Sequence, residues 1–349
     1  MVIDLGNKKI GEKYPPLIVA EMSGNHNHSL ERALRIVNAA ADAGVDALKI
    51  QTYTADTMTI DLREREFFID DPKSLWRGES LYELYEKAHT PWEWHKPIFE
   101  RCRERGLLFF STPFDLTAVD FLESLNVPLY KVASFENVDL PLIRKIAQTR
   151  KPMIISTGMA TLSEIGEAVQ AARSVGEVGL ILLKCTSVYP ADPSSSHLST
   201  ISHLRGAFQC LVGLSDHTEG IGVAVSSVAY GAVVIEKHFT LSRKEGGVDS
   251  AFSLEPDEMK QLVQETKRAW QAMGSVSYGP TEAEIPSLRF RRSLYIVKDT
   301  KRGERLTKEN LRPIRPGFGL PPKHYEDLLG KKINRDVSRG TPMAWGLLE

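Results

Sequence analysis

Cysteine is scarce. The 349 residues hold three, Cys102, Cys185 and Cys210. They are odd in number and far apart, with no Cys-x-x-Cys pair, which argues against a disulfide framework and a thiolate zinc site. A charge surplus is missing too: 44 Lys+Arg against 45 Asp+Glu leave a formal net charge of −1. A nucleic-acid binder would need a basic excess, although a local cationic pocket for a small anion stays open. Long apolar runs are absent. The longest apolar-leaning stretch, Ile221 to Ile235, is broken by Ser226, Ser227, Tyr230 and Gly231 and falls short of a membrane span. The N-terminal MVIDLGNKKIGEKYPP has no apolar core of signal-peptide length. A cytoplasmic protein with no membrane partner is therefore expected. No G-x-G-x-x-G or Walker A loop occurs, so a dinucleotide or nucleoside triphosphate has no motif support.

What is present is a globular composition: 42% hydrophobic residues is too apolar for disorder. One pattern recurs. A short apolar run ends in polar residues, and a helix-compatible stretch usually follows. The runs are Pro16–Ser23, Val45–Thr52, Leu107–Phe114, Leu129–Ser134, Pro152–Gly158, Leu180–Ser187, Cys210–His217 and Val233–Phe239. In SLERALRIVNAAADAG, Ser29 is the expected N-cap, Leu30, Ala33, Leu34 and Val37 share a face, and Gly44 stops the helix. Eight strands alternating with helices predict an α/β fold, a (β/α)8 barrel of about 250 residues. The barrel is expected over residues 1–275. The long segment between Thr52 and Leu107 is a candidate lid, because loops after barrel strands lie on the face that carries sites. Residues 276–288, rich in turn formers, read as a linker. Residues 289–349 hold a quasi-repeat, Asp299-Thr-Lys-Arg-Gly303 and Asp336-Val-Ser-Arg-Gly340, preceded by the β-like runs SLYIVK and GKKINR. A small β-rich domain is expected there.

Polar residues at the C-terminal ends of barrel strands are site candidates. In chain order these are Glu21, Lys49, Gln51, Thr112, Lys131, Ser134, Ser156, Lys184, Thr186, Ser187, Ser215, His217, Glu236 and His238. Lys49 with Gln51, Ser215 with His217, and Glu236 with His238 each lie two apart, so each pair shares a strand face. Burying several lysines in a barrel mouth is costly without an anionic ligand. With neighbouring hydroxyls they suit a phosphate and a carboxylate; a lone lysine would point to Schiff-base chemistry instead. His217 and His238 end adjacent strands and can converge, either on a divalent metal or as a hydrogen-bonded pair. His26 and His28, in the first strand–helix loop, face substrate or solvent.

These segments resemble one family, the sialic acid synthases, which condense phosphoenolpyruvate with an open-chain amino sugar. The resemblance rests on AEMSGNHNHSLERAL, KIQTYTADTMT, STPFD, YKVAS, ISTGMAT, KCTSVYP, GLSDHT, EKHF and RRSLY…IRPGFG, spread over nearly the whole chain. It implies a (β/α)8 barrel joined to an antifreeze-like (SAF) domain in a domain-swapped homodimer. It also implies that His217 and His238 bind Mn²⁺ or Mg²⁺. Lys49, Thr112, Lys131, Ser134, Ser156 and Ser215 would hold phosphoenolpyruvate. Glu21, Gln51, Ser187, Glu236 and Asp249 would face the reacting centre or the sugar, and Arg315 would reach it from the partner subunit. Within the family, KVASFEN, SLYELYEKAHTPWEWH and DSAFSLEPDE look most like the branch that makes pseudaminic acid from 2,4-diacetamido-2,4,6-trideoxy-L-altrose. Phe135 stands where the N-acetylneuraminate branch commonly has glycine, and Ser187 where that branch usually has asparagine. N-acetylneuraminate or legionaminate synthesis is the alternative. A non-catalytic sugar-binding barrel is the alternative of another class, and it has no need of a histidine pair beside a lysine cluster.

Overall fold

Eight parallel strands close on themselves in the first of two units, Met1–Gly274 and Ser275–Glu349. The computed structural model describes residues 1–6, 8–72 and 74–349. The strands are β1 (Leu17–Glu21), β2 (Ala47–Thr52), β3 (Leu108–Pro113), β4 (Tyr130–Val132), β5 (Met153–Ser156), β6 (Leu180–Cys185), β7 (Leu211–Asp216) and β8 (Val234–His238). Each falls inside one of the eight apolar runs. β8 pairs with β1 from Val234↔Leu17 to His238↔Glu21 and closes the ring.

Alternation sorts the side chains into two layers. Ile18, Leu48, Ile50, Phe109, Val132 and Leu182 point outward and pack against the helices. Leu17, Val19, Leu108, Phe110, Ile154 and Leu183 point inward and fill the lower barrel. Filling is tight. A Cβ at Gly213 would collide with the Val234 carbonyl and Leu183, so β7 needs a residue without a side chain there. The lower end is joined by an element not foreseen from sequence: an antiparallel hairpin pairs Ile3 with Ile10, and both side chains enter the inner cluster.

The first crossover helix, Leu30–Ala43, starts and stops as expected. Ser29 Oγ accepts from the Arg32 N–H at 3.2 Å, and Gly44 ends the helix at φ +87°. The segment after β2 carries a helical turn at Ala55–Met58 and a helix at Leu81–Ala88, and the crossover helix Trp92–Glu104 then leads to β3. All three cysteines are buried and free. Among the described residues no helix is long and apolar enough to cross a membrane.

The second unit pairs Ser293–Ile296 with Leu311–Ile314 around Leu294, Ile296, Leu306, Leu328 and Leu347. Its two Asp-x-x-Arg-Gly turns are reciprocal. Asp299 accepts from the Arg339 N–H at 2.8 Å, and Asp336 from the Arg302 N–H at 2.9 Å. GKKINR, expected as a strand, makes only isolated bridges, Arg305↔Lys332 and Ile333↔Leu348. The segment read as an irregular linker contains a 3-10 helix, Glu282–Phe290, which Thr281 and Glu284 cap.

Candidate active site

The inward face of the barrel changes character at one level. Above the apolar layer it carries Glu21, Lys49, Lys131 and Glu236, all buried. Lys49 Nζ lies 2.6 Å from Glu21 and 3.6 Å from Glu236, and donates to Thr112 Oγ1 at 3.2 Å. Lys131 Nζ lies 4.0 Å from Glu236 and donates to the Val132 carbonyl. Ser215 Oγ donates to Glu236 at 3.1 Å. The two carboxylates differ. Burial pushes Glu21 up to about 7, helped by repulsion from Glu236 and resisted by Lys49. Burial acts on Glu236 too, but there Lys131 and Lys49 outweigh it and hold the group below the usual carboxylate range.

Beside this cluster lies a corner of hydroxyls. Ser134 Oγ accepts from the Gly158 N–H at 3.1 Å, and Ser156 Oγ is buried without a hydrogen-bond partner. A Cβ at Gly158 would strike both Ser187 and Ser134, so the glycine keeps the corner open and Ser187 belongs to it. Lys184 does not. It shares the outward face of Leu180 and Leu182 and donates to the Cys185 carbonyl and to Thr186 Oγ1. The inward residue on that strand is Cys185, whose Sγ lies 3.8 Å from His217 Nδ1. Ile181 and Leu183 on the same strand also face in, so Cys185 continues the inward row and Lys184 the outward one.

The rings of His217 and His238 sit 5.3 Å apart. His217 Nδ1 donates to the Thr186 carbonyl at 2.9 Å; burial opposes a charge on this ring, but its contact with Cys185 outweighs burial and raises the group above its usual value. Burial and the neighbouring cations His217, Lys49 and Lys237 hold His238 well below its usual value, so it is neutral. Its Nδ1 is buried without a hydrogen-bond partner, 4.0 Å from Asp249. The unpartnered nitrogen of His238, with the His217 ring beside it, fits a divalent ion. Among the described residues no cluster of three His, Cys, Asp or Glu side chains suited to a metal occurs, so substrate oxygens and water would complete the coordination.

Gln51, His238 and Asp249 open onto a pocket of about 360 Å³, lined also by Tyr53, Trp76, Tyr85, Phe114, Phe135, Glu136 and Tyr189. Asp249 is held there by Ser23 and the Gly24 N–H, and burial raises its carboxyl. Tyr189 also lies against His217, with ring centroids 4.5 Å apart. Glu136 and Tyr189 escaped the sequence reading because they sit in loops beyond the strand alternation. His26 does not face solvent: it is buried, with Nε2 3.2 Å from Thr90 Oγ1. Arg315 is in the second unit, exposed in the loop after Leu311–Ile314. Among the described residues it makes no ion pair.

Fold and site together define a barrel enzyme built for anionic substrates. The chain belongs to the NeuB family, whose model matches residues 36–278; residues 291–349 match the SAF domain. The pseudaminic acid synthase of Campylobacter jejuni is 43% identical over 344 residues, 99% of each chain. The N,N'-diacetyllegionaminic acid synthase of Legionella pneumophila is 35% identical over 350 residues, 99% of this chain and 98% of that one. A crystal structure of N-acetylneuraminic acid synthetase from Leptospira borgpetersenii in complex with citrate superposes with a TM-score of 0.74 at 33% identity, covering 83% of this chain and 96% of that one.

Proposed function

We propose that this chain is a pseudaminic acid synthase, joining phosphoenolpyruvate to 2,4-diacetamido-2,4,6-trideoxy-L-altrose with water and releasing phosphate. The observation that carries the reading is the layered mouth: buried lysines and hydroxyls beneath a histidine pair, opening onto a sugar-sized pocket. Identity to the Campylobacter enzyme, higher than to the legionaminic acid synthase, favours this branch.

Lys49, Lys131 and Thr112, with Ser134, Ser156 and Ser215, bind the phosphate and carboxylate of phosphoenolpyruvate. Fixed cations in a dry site need no reorganisation when charge moves. His217 and His238 would hold the divalent ion, Mn²⁺ or Mg²⁺, which when bound would supply Lewis-acid polarisation of the sugar aldehyde. The C3 carbon of phosphoenolpyruvate forms the new bond to the aldehyde carbon, the C=O π bond breaks and its oxygen takes up a proton to become a hydroxyl, and positive charge develops at C2. Glu236, kept ionised by two lysines, stabilises that charge. Water adds at C2, and the C–O bond to phosphate breaks. Glu21 titrates near neutral pH and is the group suited to take the water proton. Gln51, Ser187 and Asp249 orient the reacting groups. A cytoplasmic location follows from the phosphoenolpyruvate requirement.

The test is phosphate release from phosphoenolpyruvate with a panel of amino sugars, with the product identified by mass. Release with the diacetamido trideoxy sugar above all others is expected. Preference for N-acetylmannosamine would move the chain to the N-acetylneuraminate branch.

A further inference from the structure

The pocket above the strand ends has two kinds of wall. The strand ends and the loops beside them contribute Gln51, His238 and Asp249, all assigned to the reaction above. The segment after β2 contributes Met58, Ile69, Trp76, Leu81, Leu84 and Tyr85, and the β3 and β4 loops add Phe114 and Phe135. This second wall offers little to hydroxyl groups. The Trp76 indole N–H is already used by the Val248 carbonyl at 3.1 Å, so only its ring surface faces the cavity. Ser74 Oγ accepts from the Trp76 backbone N–H. The polar exceptions are the Tyr85 and Ser74 hydroxyls and Glu136, and only Glu136 combines a place on the cavity wall with a buried oxygen, Oε2, that has no hydrogen-bond partner. Burial pushes its carboxyl up to about 7, the condition of an acceptor without a donor.

A sugar hydroxyl pressed against apolar side chains loses its hydrogen bonds to water and gains none. A methyl group in the same place gains from burial. Sites discriminate strongly when polar groups would be left unpaired and weakly when only a methylene is at stake. We propose that the insert wall together with Glu136 forms a selectivity subsite for a deoxy, N-acylated sugar. Met58, Ile69, Trp76 and Phe135 take its methyl groups, and Glu136 accepts one amide N–H. The inference rests on the functional reading above and adds which side chains enforce it. Glu136 is a specificity residue, outside the set that handles phosphoenolpyruvate.

The experiment compares two sugars, 2,4-diacetamido-2,4,6-trideoxy-L-altrose and N-acetylmannosamine, in the metal-loaded full-length protein. The variants are Glu136→Gln, Met58→Ser and Ile69→Ser, each checked for folding by circular dichroism. In Glu136→Leu, checked for folding like the others, the KM for the trideoxy sugar should rise about tenfold, the equivalent of one lost hydrogen bond, with a smaller rise in Glu136→Gln, which keeps an acceptor, while the KM for phosphoenolpyruvate stays put in both. In each serine variant the ratio of kcat/KM between the two sugars should fall by about three- to tenfold. If the wild type prefers the trideoxy sugar but no variant moves either quantity, the subsite is wrong and the functional reading stands. If the wild type prefers N-acetylmannosamine or uses neither sugar, both fall.

Discussion

The lower and upper halves of the barrel interior are built on the same faces of the same strands, yet they do opposite things. On four strands the switch takes one step of two residues: Val19 to Glu21, Ala47 to Lys49, Leu129 to Lys131, Val234 to Glu236. Below, apolar side chains close around each other. Above, four ionisable groups are buried at a cost that their mutual attraction offsets only in part. Stability and chemistry are thus kept in separate layers of one barrel. The lower layer and the helix-facing layer supply cohesion, and this allows the mouth to hold unpaired atoms such as Ser156 Oγ and His238 Nδ1 for a ligand.

Two substitutions test that division most sharply. His238→Ala should lower turnover by about a thousandfold or more, the scale expected when Lewis-acid assistance is lost. A chelator should do the same to the wild type, with recovery on adding Mn²⁺. Stability should change by no more than about 1 kcal/mol, because the removed ring nitrogen has no partner to strand. Phe110→Ala, in the lower barrel, should cost about 3–5 kcal/mol of stability and leave turnover per folded molecule unchanged. Steady-state kinetics and urea unfolding on both variants read this directly. An unstable His238→Ala, or a folded but inactive Phe110→Ala, would erase the distinction.

A smaller effect separates the barrel from the segments packed on it. Burial lowers His26 to about 3 and His95 to about 4. His95 Nε2 lies 2.8 Å from Thr52 Oγ1. Both histidines are neutral when folded and bind protons more readily when unfolded. Their contribution is therefore fully present above about pH 6.5 and is lost as pH falls toward the folded values. Each adds about 1.4 kcal/mol per pH unit to the acid-side slope of stability. Unfolding free energies between pH 7 and pH 5 should give a mean slope about 0.9 kcal/mol per unit shallower in His95→Gln than in the wild type, because the unfolded histidine is only partly protonated near pH 7. Parallel slopes would mean that His95 is protonated in the native state.

The barrel was legible because strand alternation is a local signal. Each apolar run ends at the level where the interior turns polar, so Glu21, Lys49, Lys131 and Glu236 could be picked out by position. Lys184 was misplaced because LILLKC is apolar on both faces, and only the register against β5 and β7 fixes which side faces in. The hairpin at Ile3 and Ile10 was invisible for a different reason. Its strands have two residues each, too short for any period to appear. That His26 is shielded from solvent was not legible, because burial in a loop depends on the segment that covers it, and that segment lies far away in sequence. The reciprocal turns of the second unit show the converse: the repeated Asp-x-x-Arg-Gly was plain, but that each Asp serves the other turn is a tertiary fact.

The smallest expected effect concerns the second unit, whose surface contrasts with the barrel mouth. The mouth buries charges with no ligand present; the Pro-Gly loop exposes Arg315 and, at 70% exposure, Phe318. An arginine presents a rigid fork of donors suited to sugar oxygens or acyl carbonyls. We propose that this loop completes the mouth of a second copy, in a homodimer that exchanges its tails. Arg315→Ala and His217→Ala should each be inactive alone, the first for want of a sugar contact and the second of a metal ligand. Mixed and allowed to exchange, they form hybrid dimers in which one barrel with an intact histidine pair meets one intact Arg315. Random pairing makes half the dimers hybrid, and one of two sites in each is whole, so activity should return to about a quarter of wild type. Were Arg315 to act within its own chain, every barrel would still lack one group and the mixture would stay inactive. Exchange is monitored separately with differently tagged chains. Inactivity in a mixture that has exchanged would assign Arg315 to its own barrel or to no site at all.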